Sequence, residues 1–197
     1  MAINRNLVNW SRTVHVYLSI ALLIVLVFFS ITGITLNHAE LMTGEPRTET
    51  LVLESLPDLP RNDEGMIAES PELAAWLREE FGIRLQFATV FYDDPFLTVN
   101  YSGPGSQALV EFDHDFNEVY AESTDFGLVA GLNDLHKGRY THIVWNALID
   151  ISAVVLTIFS LAGFVLLLPN KFRFRKVVKY TVIGTALSTL GYFIATL

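Results

Sequence analysis

The sequence predicts an α-helical membrane protein: a bundle of three transmembrane helices with a small water-soluble α+β insert between the first and second. Three observations carry this reading. Hydrophobic residues make up 51% of the 197 positions and charged residues only 17%, and the mean hydropathy is +0.39, which is outside the range of an ordinary soluble domain. The apolar residues are gathered into three long runs. Between the first two runs lies a polar, proline-punctuated stretch with its own short-range periodicity.

The first run, Val14 to Leu36, carries no charged residue; the second, Ile143 to Leu168, carries only Asp150; the third, Val177 to Leu197, carries only Lys179. At about 1.5 Å per residue each can cross a hydrocarbon core of about 30 Å. The first run exceeds the core of a secretory signal, about 7–15 residues, and no small-residue cleavage site follows it, so it is expected to remain as an anchor. The chain divides accordingly into residues 1–38 (amino-terminal segment and first helix), 39–134 (insert), 135–169 (second helix with its lead-in), 170–176 (basic link) and 177–197 (third helix).

Basic residues resist translocation near helix ends, whereas acidic ones count little. Arg5 and Arg12 precede the first helix, and Lys171, Arg173, Arg175, Lys176 and Lys179 crowd the link between the second and third. Both clusters are therefore expected in the cytoplasm, with residues 38–140 and the carboxyl terminus on the periplasmic side of a bacterial inner membrane. That outer segment holds 20 acidic residues against six basic ones. A nucleic-acid-binding surface would be basic, so that class is excluded. The absence of cysteine excludes disulfides, thiolate metal sites, iron–sulfur clusters and covalently attached haem.

Within the insert, Ser70-Pro71-Glu72 supplies an N-cap, a proline for the first helical position and an acid for the first turn. Leu73, Trp76, Leu77 and Phe81 follow at helical spacing, and Gly82 closes the helix. Alternation then predicts strands over Leu85 to Phe91 and Phe96 to Tyr101; two further short strands fit Ala108 to Phe112 and Glu118 to Ala121, joined by the Asp113 to Asn117 turn, and the extended connector before the helix can add an edge strand at Leu51 to Leu53. Asp93-Asp94-Pro95 and Ser102-Gly103-Pro104-Gly105 are the turns. One helix on an antiparallel sheet is an α+β module.

Arg12-Thr-Val-His15 opens the first helix, Ser30-Ile-Thr-Gly33 and Leu36-Asn37-His38 close it, and Leu135-His136-Lys-Gly138 precedes the second; Ser160-Leu-Ala-Gly163 echoes Ser30-Ile-Thr-Gly33. On these residues the chain resembles the PepSY-associated transmembrane family of bacterial inner-membrane proteins, as a short member with a PepSY-like insert. Some larger relatives, with more helices and more histidines, bind b-type haem through histidine pairs and are implicated in reducing iron–siderophore complexes. The resemblance therefore implies haem as the cofactor to weigh, and other membrane or periplasmic proteins as partners beside the lipid bilayer; an oligomer is compatible with it.

A haem held by two histidines needs two imidazoles facing each other at one depth. His15 and His38 are separated by about 34 Å of helix and cannot share one iron. His38 can pair with His136 or with His142, and Asn37 or Asn146 could hold the second ring nitrogen of a ligand. If His136 and His142 stand on one helix they differ by roughly 240° of rotation, so at most one faces His38. His15 is a weaker candidate on the opposite side and would need a partner chain. His114, between Asp113 and Asp115, is expected to be an exposed turn residue, and no metal site is predicted. Asp150 is an ionisable group inside a transmembrane run and thereby a functional candidate, on nearly the same face as Asn146 and His142. Ser152, Ser160 and Gly163 with Gly184, Ser188 and Gly191 form small-residue stripes suited to helix packing. Two functions fit these residues: a haem-dependent redox or iron-handling component, with its catalytic groups unassigned, and a non-catalytic membrane-tethered module that binds, inhibits or helps assemble another envelope protein.

Overall fold

The computed structural model describes residues 4–84 and 87–196. In chain order the elements are α1 (Arg5–Ala21), α2 (Leu23–Asn37), α3 (Ala39–Met42), β1 (Arg47–Leu53), α4 (Pro71–Phe81), β2 (Ala88–Asp93), β3 (Phe96–Gly103), β4 (Ser106–Asp113), β5 (Glu118–Asp125), α5 (Gly127–Lys137), α6 (Ile143–Val165) and α7 (Lys171–Thr196). They form two compact units, one of residues 28–147 and one of residues 1–27 with 148–197.

The first of these units is built on a five-stranded antiparallel sheet in the order β1-β5-β4-β3-β2. Its register makes the apolar face explicit. Leu53, Val119, Phe112, Leu97 and Tyr92 stand in one row across the five strands, and Leu51, Ala121, Val110, Val99 and Val90 in the next. Successive side chains of a strand point to opposite faces, so the neighbouring row of Thr50, Glu122, Leu109, Asn100 and Thr89 lies on the other side. α4 covers the apolar face with Leu73 and Leu77, both buried, while Trp76 stands edge-on to Phe81 and tilted against Phe112. The helix starts where the sequence places it: Ser70 Oγ accepts from Leu73 N–H at 3.1 Å, and Gly82 ends it in the left-handed conformation at φ 69°, which glycine adopts without a Cβ penalty. Ile67 and Ile83 close the core. The expected edge strand exists and is longer than its signal, Arg47–Leu53 pairing along β5. The beginning of the expected Leu85 strand lies outside the described residues, and β2 runs from Ala88.

α5 follows the sheet, in a stretch where no separate helix is expected from the residue pattern. The β3–β4 turn sits directly on it: Gly105 N–H donates to the Asp134 carboxylate at 3.0 Å, and a Cβ on Gly105 would stand 2.6 Å from the Gly131 nitrogen.

In the other unit, α6 and α7 are each long and apolar enough to cross a membrane, with windows of mean hydropathy 2.2 and 1.3. The expected first span is a bent pair: α1 and α2 meet at 57° and reach spanning length only together. The ladder continues through the bend, Leu22 N–H donating to Leu18 O and Leu26 N–H to Leu22 O, and neither proline nor glycine stands at the break. The basic stretch 170–176 is not a free link, because α7 begins at Lys171 and Asn170 Oδ1 accepts from Arg173 N–H at its start. α7 is exposed along nearly all its length. Nothing stands within 4 Å of a Cβ placed on Gly184 or Gly191, so the expected packing stripe on this helix meets no partner among the described residues.

Candidate functional site

His136 occupies the last turn of α5, which Gly138 ends in the left-handed conformation at φ 67°. Its ring rests on α2. The Phe29 ring stands edge-on at 4.9 Å between centroids, Gly33 leaves room beside Cε1, and Nδ1 lies 2.6 Å from the hydroxyl of Thr32, a residue only 2% exposed. That hydroxyl is also 2.7 Å from Phe28 O. A carbonyl can only accept, so the single Thr32 proton goes to Phe28 and the hydroxyl accepts from His136 Nδ1–H. The neutral ring then carries its lone pair on Nε2. One turn earlier on α5, buried Asn133 accepts from the Thr35 hydroxyl at 2.7 Å. The Trp145 indole N–H donates to Leu135 O at 2.8 Å, and its ring stands edge-on to Phe28. α2, α5 and the first turn of α6 are thus fastened around His136 by polar contacts that an apolar surrounding strengthens.

His15 has a parallel setting in the other unit. Its ring stacks on Phe159 at 4.2 Å and 10°, and Nδ1 lies 3.1 Å from Phe159 O. Since the carbonyl accepts, Nδ1 carries the proton and Nε2 the lone pair. A Cβ on Gly163 would come within 2.9 Å of His15 Cε1, so any side chain there displaces the ring. The two Ser-x-x-Gly sequences are therefore the same device: each presents a glycine surface on which a histidine ring from another helix lies.

The remaining candidates are placed differently. His38 is exposed, caps α3 without a side-chain hydrogen bond, and the short helix it opens packs against α5. His142 is exposed, and its Nδ1 accepts from Val144 N–H at 3.3 Å, which puts a neutral ring's proton on Nε2. His136 and His142 do not share a helix, because α5 ends at Lys137 and α6 begins at Ile143; the rotation argument that set them against each other is corrected. Asn37 is exposed, and Asn146 Oδ1 accepts from the Thr141 hydroxyl at 3.1 Å; neither holds a histidine among the described residues. Asp150 is exposed on α6. At 3.6 residues per turn it lies opposite Phe159, the residue that meets His15.

His114 corrects a second expectation. It is half-buried, with Nδ1 2.7 Å from Pro95 O and Nε2 accepting from Ile67 N–H at 2.8 Å. Both nitrogens are engaged in tying the β4–β5 turn to the β2–β3 turn and to the segment before α4. Among the described residues no three His, Asp or Glu side chains gather closely enough to hold a metal ion.

Sequence reasoning missed the Thr32 and Asn133 contacts. The signal for Thr32 was present in Ser30-Ile-Thr-Gly33 itself, as a hydroxyl one residue before the glycine.

No curated protein matches the chain significantly. No solved structure does so either. A family model does: the PepSY_TM-like family model matches residues 9–196. With that match over nearly its whole length, a five-stranded antiparallel sheet and two helices able to cross a bilayer, this membrane protein belongs to the PepSY-associated transmembrane family.

Proposed function

We propose that the chain is an inner-membrane component of an envelope redox or iron-handling system and that a b-type haem would be held on the side of its sheet by His136 and His38. One observation carries this reading: His136 Nδ1 lies against the Thr32 hydroxyl, whose proton goes to Phe28 O, and its Nε2 meets no hydrogen-bond partner among the described residues. A ligating imidazole needs that arrangement, since the anchored nitrogen sets the tautomer and the ring plane and raises the basicity of the other. The donor chemistry fits the group. His38 has a ring free of side-chain capping and opens the helix that packs on α5. His142 is less suited, because the nitrogen that would bind iron carries its proton. Haem bound there would supply one-electron transfer at a potential set by its axial ligands. The protein's part is to orient the imidazole through Thr32, to wall the site with Phe29, and to hold α5 against α2 through Asn133 and Thr35.

The test is a series of variants of the full chain purified after expression in haem-replete cells. His136→Ala and His38→Ala should each abolish the low-spin spectrum. Thr32→Val, which keeps shape and removes the acceptor, should weaken haem retention roughly 10-fold to 100-fold. His142→Ala and His15→Ala should leave the spectrum in place. Retention of the spectrum in His136→Ala would overturn the assignment.

The second reading is the non-catalytic tethered module. It is favoured by the use of three rings, those of His15, His114 and His136, in packing one segment against another.

A further inference from the structure

A recess of about 510 Å³ lies where the end of α4, the β3–β4 turn and the lead-in to α6 converge. Its walls include Arg84, Phe87, Tyr101, Tyr140, His142 and Trp145. Three features of it are unexplained by the haem reading.

The first is charge. Residues 38–140 carry 20 acidic side chains against six basic ones, yet among the described residues no carboxylate lines this recess and Arg84 does. An acidic domain that keeps its acids away from one arginine-bearing hollow presents that hollow to an anion. The second is the aromatic wall. Trp145 is fixed by its N–H bond to Leu135 O. Tyr140 is held at φ 55°, a left-handed conformation unfavourable for a bulky side chain and typically kept where a ligand or site uses it. The third is depth. Tyr140 and His142 immediately precede Ile143 and Val144, which are 74% and 69% exposed and open the 23-residue apolar helix α6. Tyrosine and tryptophan at the start of an apolar span mark the headgroup layer of a bilayer.

We propose that this recess binds the headgroup of an anionic phospholipid, its phosphodiester held by the Arg84 guanidinium with hydrogen bonds from the Tyr140 hydroxyl and His142 Nε2–H, and its acyl chains running along the first turns of α6. A free phosphate would satisfy the arginine and leave the aromatic wall without a role. The lipid matches both. Arginine suits this task because its planar fork meets two phosphate oxygens at once.

The test uses the full chain in nanodiscs of equal phosphatidylglycerol and phosphatidylcholine, released into a native mass spectrometer to count the lipids that stay bound. The wild type should retain phosphatidylglycerol in excess. Arg84→Gln should lower that excess about fivefold, the effect of one basic side chain at an anionic surface, and Arg84→Lys should preserve much of it. Arg84 is exposed, so neither change touches the core, and the circular dichroism spectrum should stay as it is. Tyr140→Gly relieves the positive φ and should leave or raise the melting temperature while reducing lipid retention. An unchanged phosphatidylglycerol excess in Arg84→Gln would overturn the proposal. Displacement of the bound lipid by millimolar inorganic phosphate would also overturn it, by assigning the recess to a free anion.

Discussion

Four of the five histidines in this chain are defined by what their two nitrogens do. His15 and His136 keep Nδ1–H on an acceptor and leave Nε2 free, His142 does the reverse, and His114 uses both. The first pattern prepares a ligand and the latter two do not; His38 makes no side-chain cap hydrogen bond. His114 is structural, and its loss should be felt in stability: His114→Ala leaves Ile67 N–H, on a residue with no exposure, without an acceptor. An unpaired buried donor costs about 1–3 kcal/mol, so the thermal unfolding midpoint of the full chain in detergent should fall while the haem spectrum, where present, stays. An unchanged midpoint would show that water satisfies the amide. The sequence could not have shown this role, because the partners of His114, Pro95 O and Ile67 N–H, are 19 and 47 residues away and no local pattern encodes such contacts. It did show the repeated Ser-x-x-Gly, though not that a histidine from another helix lies on each glycine.

Elements whose ends carry local signals were legible. α4 was written in Ser70-Pro71-Glu72 and Gly82, and β3, β4 and β5 in short apolar stretches between recognisable turns, although β5 runs on past its expected end at Ala121 to Asp125. α5 was not, because it contains Gly127 and Gly131 and is too short for its periodicity to stand out from the apolar run that follows. The bend at Leu22 was invisible for the opposite reason: the run is uniformly apolar and contains no helix breaker there. Gly131 in α5 has a packing cause, since the β3–β4 turn approaches it through Gly105, itself at φ 69°. Gly105→Ala would place its Cβ 2.6 Å from the Gly131 nitrogen and 3.0 Å from Gly127 O, backbone atoms with no rotamer to yield. With the added strain of positive φ, it should destabilise the sheet by about 2–4 kcal/mol, read as a lowered midpoint of the β-sheet circular dichroism signal. A midpoint equal to wild type would mean that the turn and α5 separate without loss.

For the whole molecule, charge asymmetry and helix count determine the proposed topology. Lys171, Arg173, Arg175, Lys176 and Lys179 lie at the start of α7, and the acidic sheet lies between α2 and α6. We propose that α6, α7 and the bent pair each cross the membrane, with the sheet and the carboxyl terminus on the periplasmic side and the basic start of α7 on the cytoplasmic side. A periplasmic reporter fused to the carboxyl terminus should be active, and the same reporter inserted at Asn170 inactive. The reverse pattern would invert the arrangement and move His136, the sheet and the Arg84 recess to the cytoplasmic side.

The redox reading rests finally on whether the chain carries haem at all, and the absorption spectrum of the wild-type protein purified from haem-replete membranes tests this most directly. A haem-bearing chain should be red, with a sharp Soret band and split visible bands on reduction, the signature of low-spin iron between two imidazoles. A colourless, folded protein from the same membranes would contradict the redox reading and leave the chain as a tethered module in which His136 only fastens α5 to α2.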